Sequence, residues 1–224
     1  MGKTRAALST AAVVLGLVVP GCGSGSGQEA DTAPPSQATS SAPATTAAAS
    51  RPDQTIAEYL QATGISQTLV KRGEPGVPTL NLPMPAGWQD VGANTPKDAY
   101  GAIYLADPAV TDNPPAIIAR MARLSGEVDQ AKLLELAPNA IRNQPGYQGP
   151  ETGQAGQLSG FDAAEIAGTV DQNGRPEFVA RKTVVIPGQD GIYLLAFDAQ
   201  GRPDQKPALM KAMSVIDAET TIEP

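Results

Sequence analysis

Apolar and polar positions change their spacing several times along this chain, and each change marks an element. Ile56, Tyr59 and Leu60 fall at helical intervals within a run that opens Thr55-Ile56-Ala57-Glu58, the spacing of a capping box, and Gly64 follows. That pattern predicts a short helix over 55–63. Thr68–Lys71 and Thr79–Leu82 are short β-prone runs broken by Gly73-Glu74-Pro75-Gly76 and by Pro83 and Pro85, and they predict edge strands. Tyr100–Asp107 alternates Tyr100, Ala102 and Tyr104 against Gly101, Ile103 and Leu105. Ala116–Leu124 alternates less cleanly around Ile117, Ile118, Met121 and Leu124. The two runs predict an antiparallel pair joined through Asp112-Asn113-Pro114-Pro115.

Val128–Ala137 sets Leu133, Leu134 and Leu136 on a helix, which Pro138 either ends or follows with a second turn carrying Ile141. A Gly-rich run from Gln144 to Gly156 reads as loop. Ala163–Asp171 and Glu177–Pro187 flank Asn173-Gly174, which supplies the positive φ of a type I′ hairpin turn. A second turn, Gly188-Gln189-Asp190-Gly191, leads to Ile192–Asp198. The last helix is expected over 203–216, with Leu209, Ala212, Met213 and Ile216 on one face. The order is helix, strands, helix, strands, helix, which predicts an α+β fold with an antiparallel β-sheet covered by helices.

The first 50 residues follow none of these periods. Lys3 and Arg5 precede an apolar stretch from Ala6 to Val19, too short for a stable span and of the form of an export signal over 1–21. It ends in Val19-Pro20-Gly21-Cys22, the pattern of a bacterial lipobox, so Cys22 is expected to carry the lipid that anchors the protein to a membrane. Gly and Ser follow Cys22 at once, and nothing nearby could bury it as an ordinary core cysteine. From Gly23 to Ser50 there is no Val, Ile, Leu, Met or aromatic residue. Such a segment buries too little to offset its backbone entropy, so 22–50 is expected to be a tether, with a reach of about 30 Å, for one globular domain over 51–224. The expected location is the extracytoplasmic face of the cell membrane.

Composition removes whole classes of chemistry. The 224 residues contain no histidine and one cysteine, which excludes Ser/His and Cys/His nucleophile systems, His-ligated metals, internal disulfides and CxxC redox pairs. Without Lys3 and Arg5 the chain has 14 basic against 23 acidic residues, and aromatics are 4% of the whole. Both facts speak against nucleic acid as a partner. Gly23–Gly27 lacks the flanking strand and helix of a phosphate loop, and Asp171-Gln172-Asn173-Gly174 lacks the distal Glu of a calcium loop. Gln157-Leu158-Ser159-Gly160 is no nucleophile elbow, because the Gly two residues before the Ser is missing. Asp162 with Glu165, or Glu177 with Asp198, could pair as glycosidase carboxylates, but charged strand ends give the same pattern. No metal, no cofactor and no catalytic residue is expected.

Lipid-binding candidates remain. Trp88, the single tryptophan, could stack on a sugar ring or line an apolar pocket, or merely plug the sheet end. Tyr100 and Tyr104 are expected on one strand face, with Ala102 leaving room between them for an acyl chain, although a half-buried strand reads alike. Met84, Met121, Met210 and Met213 would suit an adaptable apolar site or an ordinary core.

Val19–Cys22, the Ser/Thr/Pro tether, Ile56-Ala57-Glu58-Tyr59-Leu60, Leu82-Pro83-Met84-Pro85-Ala86-Gly87-Trp88 and the run from Gly160-Phe161 to the last helix occur in this order. That series resembles the LpqN/LpqT family of mycobacterial lipoproteins over nearly the whole chain. The resemblance implies a PsbP-like α/β/α sandwich, no recognised catalytic motif, and a role in handling envelope lipids or beside a membrane lipid exporter. Two functions follow as expectations. One is a non-enzymatic lipoprotein that binds a lipid or glycolipid or assists its export, with Trp88, Tyr100, Tyr104 and Met84 as ligand contacts. The other is a protein-interaction module that docks on an envelope membrane complex without a small ligand.

Overall fold

The computed structural model describes residues 53–109 and 112–224. The expected signal, Cys22 and the tether lie outside the described residues. The domain opens with helix α1 (Ile56–Thr63), and the capping box read from the sequence is formed: Thr55 Oγ1 accepts from the Glu58 amide at 3.3 Å and Glu58 Oε2 accepts from the Thr55 amide at 2.8 Å. Gly64, at φ 72°, ends the helix in the left-handed conformation that costs glycine least.

Strands β1 (Ser66–Val70), β2 (Thr79–Asn81), β3 (Trp88–Asp90), β4 (Gly101–Leu105) and β5 (Ala116–Ser125) follow. Helices α2 (Gln130–Leu136) and α3 (Asn139–Arg142) come next, with Pro138 capping the second, so the Pro both ends one helix and opens another. Strands β6 (Gln154–Leu158), β7 (Phe161–Asp171), β8 (Pro176–Gly188) and β9 (Gly191–Gly201), helix α4 (Lys206–Glu219) and strand β10 (Thr221–Glu223) complete the domain. The main sheet is antiparallel in the order β3-β4-β5-β9-β8-β7-β6, and β1 continues the β4 edge by pairing with the far half of β5. The β4–β5 pair and the β7–β8 hairpin stand where the alternation placed them. Asn173 and Gly174 have φ of 57° and 80°, as a type I′ turn requires.

Three features depart from the sequence reading. Thr79–Leu82 is no edge of the main sheet: β2 forms a separate two-stranded sheet with β10, with Leu80 opposite Ile222. Trp88, one of whose readings was a plug at the sheet end, opens strand β3. Part of the Gly-rich run is strand β6, whose residues have little β-propensity of their own and are held by five-residue register with β7.

Facing residues across the sheet define two sides. On one, Ile117 and Met121 of β5, Val184 and Ile186 of β8, and Tyr193, Leu195 and Phe197 of β9 meet the predicted stripe of α4, Leu209, Ala212, Met213 and Ile216, in one buried cluster. On the other, α1 and α2 cover Leu124 and Val185 through Leu60 and Leu133, and α3 covers Ile166, Val170 and Val179 through Ile141. The sheet thus lies between helices on both faces, the α/β/α arrangement expected.

Candidate functional site

The α4 side contains a small apolar cavity of about 120 Å³ near the β4 edge. Its floor is Ile117, Ala119 and Phe197, with Ile103 beside them and Ile216 contributed by α4. Its roof is Leu82-Pro83-Met84. The local sequence explains this roof. β2 is pinned by β10, the two prolines keep the following segment extended, and Gly87 at φ 85° turns the chain into β3. That turn points Trp88 inward at 6% exposure and leaves Met84 on the outer rim at 52%.

At the mouth stand Arg72 and Asp90, 3.8 Å apart and both well exposed. The Arg72 guanidinium also lies 5.7 Å from the Tyr100 ring centroid, within the range of a cation–π contact. An engineered apolar cavity of about 150 Å³ holds benzene. The space here, about 120 Å³, is of that order.

The four sequence-derived contact residues are not gathered in one place. Met84 lines the cavity. Trp88 and Tyr100 are buried members of the same core cluster but do not line it. Tyr104 is on the opposite side of β4, where its hydroxyl meets Gln89 Oε1 at 3.3 Å. Tyr100 and Tyr104 therefore frame no common groove, because Tyr100 precedes the strand and joins the α4-side core instead. Arg72, Asp90 and Phe197 were not singled out from the sequence, and Ile216 only as part of the apolar stripe of the last helix. They meet through strand pairing and α4 docking, which no local spacing reveals.

Charged groups form two further clusters. On the α4 side Lys182, whose side chain is 3% exposed, places Nζ 2.7 Å from Asp217 and 2.9 Å from Glu165. Burial works against its charge, but hydrogen bonds to Asp217 and Glu165 outweigh it and raise the ammonium pKa above the ordinary 10.5. On the other side Asp198 accepts from Arg181 at 2.5 Å and Arg120 at 2.8 Å, and Arg120 also reaches Asp98 at 2.7 Å. The hydrogen bond from Arg120 holds the Asp98 carboxyl below its ordinary value. Beside this ladder is a polar cavity of about 180 Å³ that Glu177 also lines, its carboxyl pKa raised by burial.

The two carboxylate pairs considered from the sequence thus resolve. Asp162 and Glu165 point to opposite sides of β7. Glu177 and Asp198 share the polar cavity, but each Asp198 oxygen is already held by a guanidinium.

The domain is thus an α/β/α sandwich whose antiparallel sheet carries a small apolar cavity behind a Pro-rich roof. Comparison with known proteins gives its family. The sequence pattern described as "Probable lipoprotein LpqN" matches residues 52–223, and the chain belongs to this LpqN lipoprotein family. It is 40% identical over 176 residues to lipoprotein LpqN of Mycobacterium tuberculosis (strain ATCC 25618 / H37Rv), covering 79% of this chain and 77% of that protein. The crystal structure of LpqN "involved in cell envelope biogenesis of Mycobacterium tuberculosis" superposes with a TM-score of 0.73 at 40% identity, covering 78% of this chain and all of that one. A solution structure of cyanobacterial PsbP from Synechocystis sp. PCC 6803 gives a TM-score of 0.40 at 12% identity over 70% of this chain and 93% of its own.

Proposed function

We propose that this protein is an envelope lipoprotein, held at the membrane through Cys22, that receives the apolar end of a lipid or glycolipid behind the Leu82–Met84 roof and so assists its binding or export. The observation that carries this reading is the apolar cavity with a single exposed ion pair, Arg72–Asp90, at its mouth. Burying about four methylenes there would contribute roughly 3 kcal/mol, so a headgroup outside must supply the remainder of a useful affinity. The family's lipoprotein description and the cell-envelope role stated for the M. tuberculosis relative support the same reading. The protein acts by binding and not by turnover, which fits a chain without histidine.

Native mass spectrometry of protein purified from its own host in mild detergent is the direct test. A lipid adduct is expected, and the apo mass alone would sink the proposal. Ala119→Leu should fill the cavity and Met84→Asp should charge its rim. Both should lose the adduct with circular dichroism unchanged, the first at an overpacking cost of about 1–3 kcal/mol. Cys22→Ala should release the domain from the membrane fraction or leave the signal uncut. A variant that stayed membrane-bound with its signal removed would place the anchor elsewhere.

A further inference from the structure

β6 ends the main sheet, and its outer edge is open. Leu158 and Phe161 face each other across the two-residue turn Ser159-Gly160, so they form the hydrogen-bonded pair that closes the hairpin. Alternation then directs the amides and carbonyls of Gly156 and Gln154 toward β7, and those of Ala155 and Gln157 outward. Among the described residues, neither Ala155 nor Gln157 has a backbone partner on that side. Exposed edges in monomers are commonly blunted by lysine, proline or a bulge. Gln154–Leu158 has none of these and carries no charge at all.

A groove flanks each face of this edge. On the α2–α3 side one of about 710 Å³ includes Leu134, Pro138, Glu151 and Asp162. On the α4 side one of about 400 Å³ includes Met210, Met213 and Ala167 above the Lys182 cluster. Thr152 and Gln154 line both, so the two grooves meet at the start of β6. A strand added at the usual spacing of about 4.8 Å would direct alternate side chains to the two faces on which these grooves lie.

Charge distinguishes the grooves. Among the described residues, Glu151 and Asp162 have no ion-pair partner: Arg142 meets the Glu151 backbone carbonyl, at 2.8 Å, and Asp162 accepts from Gln157 at 3.3 Å. On the other side the carboxylates of Glu165 and Asp217 are matched by Lys182, which bonds both, and by Lys206, which lines the same groove, and Met210 is 43% exposed.

We propose that the β6 edge is a docking strand for an extended segment of a partner protein, with basic side chains directed to the Glu151/Asp162 groove and apolar ones to the Met210/Met213 groove. The main-chain ladder to Ala155 and Gln157 supplies affinity, and the two unlike grooves supply register, since a one-residue slip would exchange the two sets of side chains.

The test uses the isotope-labelled mature chain and a capped probe peptide, Lys-Val-Lys-Val-Lys. Amide shifts and slowed hydrogen exchange are expected at Ala155 and Gln157 but not at Gly156, and replacing the three lysines of the probe by aspartate should weaken binding at least five-fold. Ala155→Pro removes one outward donor while sparing the bonds to β7, a substitution that sheet edges tolerate, and it should abolish the shifts. Glu151→Gln with Asp162→Asn, which carries no folding risk at these exposed positions, should lower affinity several-fold. The proposal is overturned by no shift at millimolar probe, by equal binding of the aspartate peptide, or by shifts confined to α4. Protection of Ala155 and Gln157 that rises with protein concentration alone would assign the edge to a second copy of this chain and overturn it equally.

Discussion

The two faces of the sheet are built from alternate residues of the same strands, yet they are closed in different ways. One long helix, α4, covers its face with a continuous apolar cluster, and beside it Lys182, the only buried charge among the described residues, is held by two carboxylates. Three short helices cover the other, which breaks into two separate clusters with the Arg181–Asp198–Arg120–Asp98 ladder on the same face. A helix of 14 residues can present several turns to one surface, whereas helices of 8, 7 and 4 residues each bury only a few side chains. Polar groups therefore settle where the cover is discontinuous, and the α4 side tolerates a charge only when it is fully partnered.

The sharpest way to break this contrast is to strip the partners from Lys182. Glu165→Ala with Asp217→Ala leaves a buried ammonium uncompensated and should cost about 3–5 kcal/mol in urea unfolding, whereas Lys182→Met leaves two carboxylates that reach water and should cost about 1 kcal/mol. The pair's contribution should be complete below the ordinary lysine value of 10.5 and be lost as pH rises through the raised folded value. Next in size are cavity substitutions. Leu209→Ala, at a fully buried position on α4, should cost about 3–5 kcal/mol, and Ile141→Ala on the four-residue α3 about 2, because a short helix can settle into the space. Equal losses at the two sites would show that both faces pack alike.

These outcomes bear on what could be read in advance. The α4 stripe was legible because Leu209, Ala212, Met213 and Ile216 repeat at helical spacing, and the β7–β8 hairpin because Asn-Gly is a strong turn signal. β6 was not, since Gln154-Ala155-Gly156-Gln157 becomes a strand only through the register that β7 imposes. The cavity was half legible. The Leu82–Trp88 element gave Met84, but its floor is assembled from β5 and β9, and the alternation that suggested Tyr104 is real while its face is the wrong one. The lysine triad joins positions 165, 182 and 217, a convergence that only tertiary structure creates.

Two smaller effects refine the comparison on the three-helix side. Thr55→Ala opens the capping box of α1 and should cost about 1 kcal/mol, with exchange at the first amides of α1 rising before any global change. Glu177→Gln should act in the opposite direction. Burial makes the folded carboxyl bind its proton more tightly than the unfolded chain does, so stability falls as pH rises from the ordinary 4.5 through the raised folded value. The glutamine variant should melt at a higher temperature than the parent near neutral pH, and the gain should vanish below 4.5. A gain that persisted in acid would mean that the charge of Glu177 was not its cause.

The pairing of β2 with β10 orders events in time. Every strand of the large sheet except β1 is synthesised between Leu80 and Ile222, so the roof of the cavity cannot be clasped until Thr221–Glu223 has left the ribosome. Until then β2, which leads into the Leu82–Met84 segment, has no partner strand, and an apolar floor without its cover is the kind of exposure that chaperones meet. Cleavage before Thr221 would take away the partner strand of β2, and Ile222 from the core, while leaving every strand of the large sheet in the chain.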